Sequence, residues 1–160
     1  MQLIEKDEVL SLVPHRGRMF LLSRVTKYDL KEYSVEAEYN ITEDCLFHDP
    51  AMGGVPAWVG FEFIAQAISV LFGLKRREAG KEPKIGFLMS ISSMKTVVPV
   101  LKTGSVVTLI AKEISRIETV HSFKGLACID GKTVLEGKLT AMDVDEERME
   151  AYQKGYESIG

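Results

Sequence analysis

Apolar and polar positions alternate differently in successive parts of the chain. Over residues 34–39 Ser34, Glu36 and Glu38 alternate with Val35, Ala37 and Tyr39, the period-two pattern of a half-buried strand. Residues 57–78 are instead apolar on nearly every face and predict one long helix. Pro56 suits its start, where a missing N–H would have had no partner. Lys75, Arg76 and Arg77 suit its end, where cations complement the helix dipole, and Gly80 and Pro83 stop it. Beyond it, residues 85–98, 105–114, 120–129 and 133–142 form four runs rich in Val, Ile, Leu, Phe and Thr. Lys102-Thr103-Gly104, residues 115–118 and Asp130-Gly131-Lys132 separate them, and Asp-Gly between apolar runs marks a tight hairpin. Upstream, the pattern predicts a short helix over 5–12 stopped by Pro14, a strand over 19–25, and a loop over 41–55 holding Pro50 and Gly53-Gly54. A charged, weakly amphipathic helix is expected over 143–156.

The order is two strands, one long helix, then four strands on short turns, which favour antiparallel pairing. A helix apolar all round is buried in its own domain or spans a membrane. Its length approaches the ~20 residues of a span. Glu62, Gln66 and Ser69 lie inside it, however, and no second span appears, so the membrane reading is set aside. A curved antiparallel sheet wrapped around the helix, with a second copy covering the remainder, is the outline of a hot-dog fold. The expectation is an α+β chain forming one domain over 1–160, with a core of 1–143, a charged tail of 144–160, and a dimer as building block. A chain of 160 residues can bury about two-thirds of its unfolded surface.

A net charge of -3 gives no whole-molecule attraction to nucleic acid, and any acidic partner would need a local basic patch. Two cysteines, Cys45 and Cys128, with no Cys/His cluster, exclude a disulfide scaffold and a zinc site. Metal motifs and Gly-rich phosphate loops are absent, so neither a metal nor another cofactor is expected. The N-terminus has early acidic residues and no apolar signal core, and the expected setting is the cytoplasm.

Trp58, Glu62, Gln66 and Ser69 follow i, i+4, i+8, i+11 spacing and share one helix face. A polar stripe on an apolar helix needs something polar against it: a buried hydrogen-bond network, a seam in a dimer, or a site. The order His48, Gly-Gly, Pro, helix, Glu62 favours a site. A helix beginning at Ala57 offers unpaired N–H groups that can hold a carbonyl oxygen as it gains charge. A neutral imidazole can take a proton from the adjacent carbon. A carboxyl in an apolar surround favours its protonated form and can deliver a proton to a departing hydroxyl. These are the parts needed to dehydrate a 3-hydroxyacyl thioester.

With these residues the chain resembles the β-hydroxyacyl-acyl-carrier-protein dehydratases of the hot-dog superfamily over nearly its whole length. LVPHRGRMFLLSRV, residues 12–25, is similar to that family's LPHR…LL.DRV segment. His48 and Glu62 stand 62 − 48 = 14 positions apart, the family's spacing between histidine and helix carboxylate. Pro56 falls at the pre-helix proline, Ala65-Gln66 at the Ala-Gln pair, and residues 93–109 resemble the K..VVPGD.L strand and turn. The resemblance implies a site at a dimer interface, with the histidine from one subunit and the carboxylate from the other. It implies His48 as base, Glu62 as acid, and the Gly54 and Ala57 N–H groups as donors to the thioester carbonyl. Gln66 would support Glu62, and Trp58 would sit near the mouth of an acyl tunnel. The partners implied are an acyl carrier protein bearing the acyl chain on phosphopantetheine and a second subunit, identical or a paralogous dehydratase.

Three departures stand out: Asp49 follows His48, and Ala57-Trp58 replace Gly-Val. Asp49 is placed to act on the imidazole. The string GGVPAWVGFEFIAQ is most similar to the dehydratase-like subunit of aryl-polyene, type II polyketide pathways. Competing readings are a hot-dog thioesterase using Glu62 and a non-catalytic subunit that stabilises a paralogous dehydratase. His15 is expected to be structural and His121 to lie on the surface. Arg16, Arg18, Lys75, Arg76, Arg77 and Lys95 are candidates for a carrier-docking patch. Cys45 has no oriented third group and is not expected to be a nucleophile.

Overall fold

The computed structural model describes residues 3–12, 21–81 and 86–144. A seven-stranded antiparallel sheet runs in the order β1 (Ile4–Glu5), β2 (Arg24–Asp29), β3 (Ser34–Asn40), β7 (Val106–Ile117), β8 (Val120–Ile129), β9 (Lys132–Val144) and β5 (Gly86–Thr96). A separate two-stranded ladder joins β4 (Gly54–Pro56) to β6 (Val100–Lys102). The helices are α1 (Lys6–Leu12) and α2 (Gly60–Glu78), the second led in by a 3-10 turn, Ala57–Val59. This is the hot-dog arrangement expected from the sequence.

The helix is seated in the sheet by side-chain size. Register aligns Ala111 with Gly125 and Gly125 with Gly137, a row of small residues crossing β7, β8 and β9. A Cβ on Gly125 would lie 2.9 Å from Ile64 Cγ2, and one on Gly137 would lie 2.5 Å from Phe61 Cε1 and 2.6 Å from the Ser93 carbonyl oxygen. Bulky side chains of α2 therefore occupy a trough that only missing side chains provide. Around it the buried members of β3, β7, β8 and β9, among them Val35, Leu109, Phe123 and Leu139, complete the inner face. The helix long and apolar enough to cross a membrane, Ala57–Glu78, is thus mostly buried in the fold as its core element.

The structure departs from the sequence expectations where a non-local partner intervenes. The strand expected over 19–25 begins only at Arg24; residues 19 and 20 lie outside the described residues. Leu21 and Leu22 are buried without belonging to a strand, because the Leu21 N–H donates to the Gln66 side chain rather than to a ladder. β4 and β6 arise within segments expected to be loop or turn. His121 is buried, not exposed: its Nδ1 lies 2.7 Å from Glu113 Oε2, and its ring stacks on Tyr33 and meets the edge of Phe72. Arg116 chelates the same carboxylate and lies over the Tyr33 ring. Residues 143 and 144 continue β9, and the rest of the helix expected over 143–156 lies outside the described residues.

The trough makes a steric prediction. Gly137→Ala should lower unfolding free energy by roughly 1–3 kcal/mol, the usual cost of overpacking a filled core. Chemical denaturation measures it; an unchanged midpoint would refute the proposed seat of Phe61.

Candidate active site

The loop after β3 presents His48. Its backbone N–H donates to the Cys45 carbonyl (3.0 Å), and Asp49 knots the next turn. The Asp49 N–H donates to the Gly54 carbonyl (2.7 Å), while its own carbonyl accepts from Met52 and Gly53. The Asp49 carboxylate accepts the Ala51 N–H (2.9 Å) and, unlike the role its position suggested, makes no hydrogen bond to the imidazole. The ring of His48 turns to Thr103, whose Oγ1 lies 2.8 Å from Nε2. Thr103 sits in the turn after β6, fifty-five positions away. Its only sequence signal was membership of the Lys-Thr-Gly turn.

The β4–β6 ladder ties the helix start to the same strip. Gly54 pairs with Lys102, Val55 with Leu101 and Pro56 with Val100. Gly54 is required by close approach, since a Cβ there would run into the Leu101 carbonyl oxygen. The Gly54 N–H lies 3.4 Å from the Asp49 carbonyl, the outer limit of a hydrogen bond, and so remains a candidate donor. The Ala57 N–H does not: it donates to the Pro99 carbonyl at 3.1 Å, which corrects its expected role as a carbonyl donor. The next amide, that of Trp58, has no acceptor among the described residues, as befits the leading turn of a helix.

The polar stripe on α2 divides. Gln66 and Ser69 are buried, Ser69 donating to the Ala65 carbonyl. Gln66 Oε1 accepts the Leu21 N–H at 2.7 Å, which leaves its amide N–H to donate to Glu62 Oε1 at 3.3 Å. That fixes the amide's orientation, because only oxygen can accept from a backbone N–H. Glu62 itself is half-buried, so within one chain it lacks the full apolar surround expected for it. Trp58 is 61% exposed and, with the exposed Phe47 at a ring-centroid distance of 6.4 Å, forms an apolar rim by the helix start.

Other candidates fall away from this site. Cys45 is buried and accepts from the Tyr39 hydroxyl (3.0 Å); burial, then this contact, push the Tyr39 hydroxyl well above its ordinary pKa. His15, Arg16 and Arg18 lie outside the described residues. In the basic set, Arg77 pairs with Glu8, and Lys75 lies 4.0 Å from Glu78. Among the described residues no group of three or more His, Cys, Asp or Glu is placed to hold a metal.

Gln66→Leu should cost about 1–3 kcal/mol, because the Leu21 N–H would be left buried without its acceptor. Urea titration should show that loss; unchanged stability would mean that the Leu21–Gln66 bond does not organise the helix face.

Comparison with known proteins identifies the family and the fold. The family described as ApeP-like, ApeP dehydratase, matches residues 7–153. A 3-hydroxyacyl-[acyl-carrier-protein] dehydratase FabZ from Chlamydia caviae is 30% identical over 151 residues, 92% of this chain and 96% of that protein. A FabZ from Chlamydia trachomatis is 34% identical over 149 residues, covering 88% and 93%. Among solved structures, a chain of the dehydratase heterocomplex ApeI:P from Xenorhabdus doucetiae superposes with a TM-score of 0.78 at 23% identity, over 90% of this chain and 95% of that one. A hypothetical thioesterase from Streptococcus pneumoniae shares the fold more distantly, with a TM-score of 0.58 at 12% identity over 76% and 84%. With a family match from residue 7 to 153 and FabZ relatives at this level, the chain belongs to the ApeP-like dehydratases of the hot-dog fold.

Proposed function

We propose that the protein removes water from a 3-hydroxyacyl thioester carried on an acyl carrier protein, giving the trans-2-enoyl thioester, in fatty-acid or polyene synthesis. The observation that carries this reading is the strip of residues 99–103. It orients the His48 ring through Thr103, supports the Gly54 turn through Lys102, and anchors the start of α2 through the Ala57–Pro99 bond. A base and the donor end of the helix that bears Glu62 are thereby held by five consecutive residues.

In this reading the unprotonated imidazole nitrogen of His48 takes the proton from C2, and the electron pair shifts toward the thioester carbonyl. The Gly54 N–H in β4 and the Trp58 N–H in the turn leading into α2 stabilise the oxygen as its charge grows. Glu62, protonated, gives its proton to the C3 hydroxyl, the C3–O bond breaks, and the C2=C3 double bond forms as water leaves. His48 then carries one extra proton and Glu62 one fewer, and proton exchange between them restores the start. Gln66 holds the Glu62 carboxyl in place throughout. Trp58 and Phe47 would form the apolar lip of the acyl tunnel.

Because Glu62 is half-open within one chain, the acid role requires a second subunit to cover it, and the site is completed by pairing the His48 of one chain with the helix carboxylate of another. The resemblance to a chain of the ApeI:P heterocomplex supports a paralogous dehydratase as that partner.

The test is incubation of the purified chain, alone and with a paralogous dehydratase, with a 3-hydroxyacyl carrier protein, followed by mass. Loss of one water is expected, falling by roughly 10²–10⁴-fold in His48→Ala and in Glu62→Gln, the range for general acid–base groups. Release of free acid would instead establish a thioesterase. An inactive chain whose partner's activity does not depend on His48 or Glu62 would establish a supporting subunit.

A further inference from the structure

Resting on that reading, we propose that Thr103 is a positioning residue: it fixes His48 in the Nε2–H tautomer and leaves Nδ1 as the nitrogen that takes the substrate proton. The argument is a count of protons. Thr103 Oγ1 lies 3.0 Å from the Gly53 carbonyl oxygen and 2.8 Å from His48 Nε2. A carbonyl only accepts, so the single hydroxyl proton of Thr103 goes to Gly53, and the oxygen's lone pair is what meets the ring. Nε2 must then bring its own proton. A neutral imidazole carries one N–H, so Nδ1 is bare, and it has no hydrogen-bond partner among the described residues.

The hydroxyl is not a loose rotor. The Thr103 backbone N–H also donates to the Gly53 carbonyl at 3.0 Å, so two bonds from one residue converge on that oxygen. The turn is held on its far side by Gly104 N–H to the Ile41 carbonyl (2.9 Å) and Ser105 N–H to Lys102 (3.1 Å). Gly53, with φ of +72°, sets the direction of the acceptor. Since the Asp49 carboxylate is engaged with Ala51, the third member of this arrangement is a neutral hydroxyl. It selects a tautomer without the strong pull on an imidazolium that a carboxylate would exert. The His48 ring is therefore oriented by a neutral partner.

The experiment is nitrogen-15 NMR of the His48 side chain in the folded chain, with kinetics beside it. Above the imidazole titration, the wild type should show protonated Nε2 and bare Nδ1. Thr103→Val, which keeps the shape and removes the hydroxyl, should show a mixture of tautomers. Thr103→Ser should restore the wild-type pattern. In turnover, Thr103→Val should lower kcat by about tenfold, the scale of one hydrogen bond, with KM changed by less than about twofold. Thr103→Ser should recover to within about twofold. A wild-type Nδ1–H tautomer, or a Thr103→Val spectrum identical to wild type, would overturn the proposal. So would equal loss of turnover in both variants, which marks a turn that is merely disrupted. The nitrogen pattern is read without substrate: absence of turnover in the wild type and its complexes would sink the dehydratase reading while leaving the tautomer assignment to its own result.

Discussion

The close seat of α2 on the row Ala111, Gly125 and Gly137 governs the rest of the molecule. Because Phe61 and Ile64 fill space that side chains on β8 and β9 would otherwise take, the helix cannot rotate about its axis without a clash. At 3.6 residues per turn, that seat directs Trp58, Glu62 and Ala65 to a face roughly a quarter-turn away. Those three keep solvent contact, while Gln66 and Ser69 farther along the same side are enclosed. Packing thus aims the helix face that carries the carboxylate, and the Gln66 amide bonds to it there.

Around that rigid seat, the short β4–β6 ladder solves a different problem. The loop from Ile41 to Gly53 lies outside the large sheet, and its backbone groups need other partners. Asp49 satisfies many of them internally, and Thr103 and Gly104 take the Gly53 and Ile41 carbonyls. β4 stays short partly because Pro56 has no N–H to extend a ladder. The same residues that satisfy the loop's backbone therefore set the imidazole. A perturbation in the turn after β6 should reach the imidazole before it reaches the core, since the core strands make their contacts through other residues.

Much of the fold was legible because it rests on local periodicity. The alternation over 34–39, the apolar run of α2 and the Asp130-Gly131 hairpin each express a rule that acts within a few residues. What could not be read depended on partners far away in the chain. Leu21 looked like strand because its side chain is apolar, yet its N–H belongs to Gln66, forty-five positions on. His121 looked like a surface residue until Glu113, Tyr33 and Phe72 closed around it. Helix-start logic nominated the Ala57 N–H without knowing that Pro99 would take it. His48 and Glu62 were nominated through their spacing and resemblance, and their roles rest on that reading; Thr103 carried no local signal of its purpose.

The half-open state of Glu62 links chemistry to assembly. In the proposed dehydration, a carboxyl that donates a proton near neutrality needs its charged form disfavoured, and removal from water is the direct means. This chain places Glu62 in the first turn of a helix and gives it only partial cover. A second subunit laid over Trp58, Glu62 and Ala65 would supply the missing desolvation and, in the same step, bring up an imidazole. Acid and base would then come into being together, only on association. In the proposed reaction, the identity of that partner would then decide how completely the Glu62 side chain is withdrawn from water.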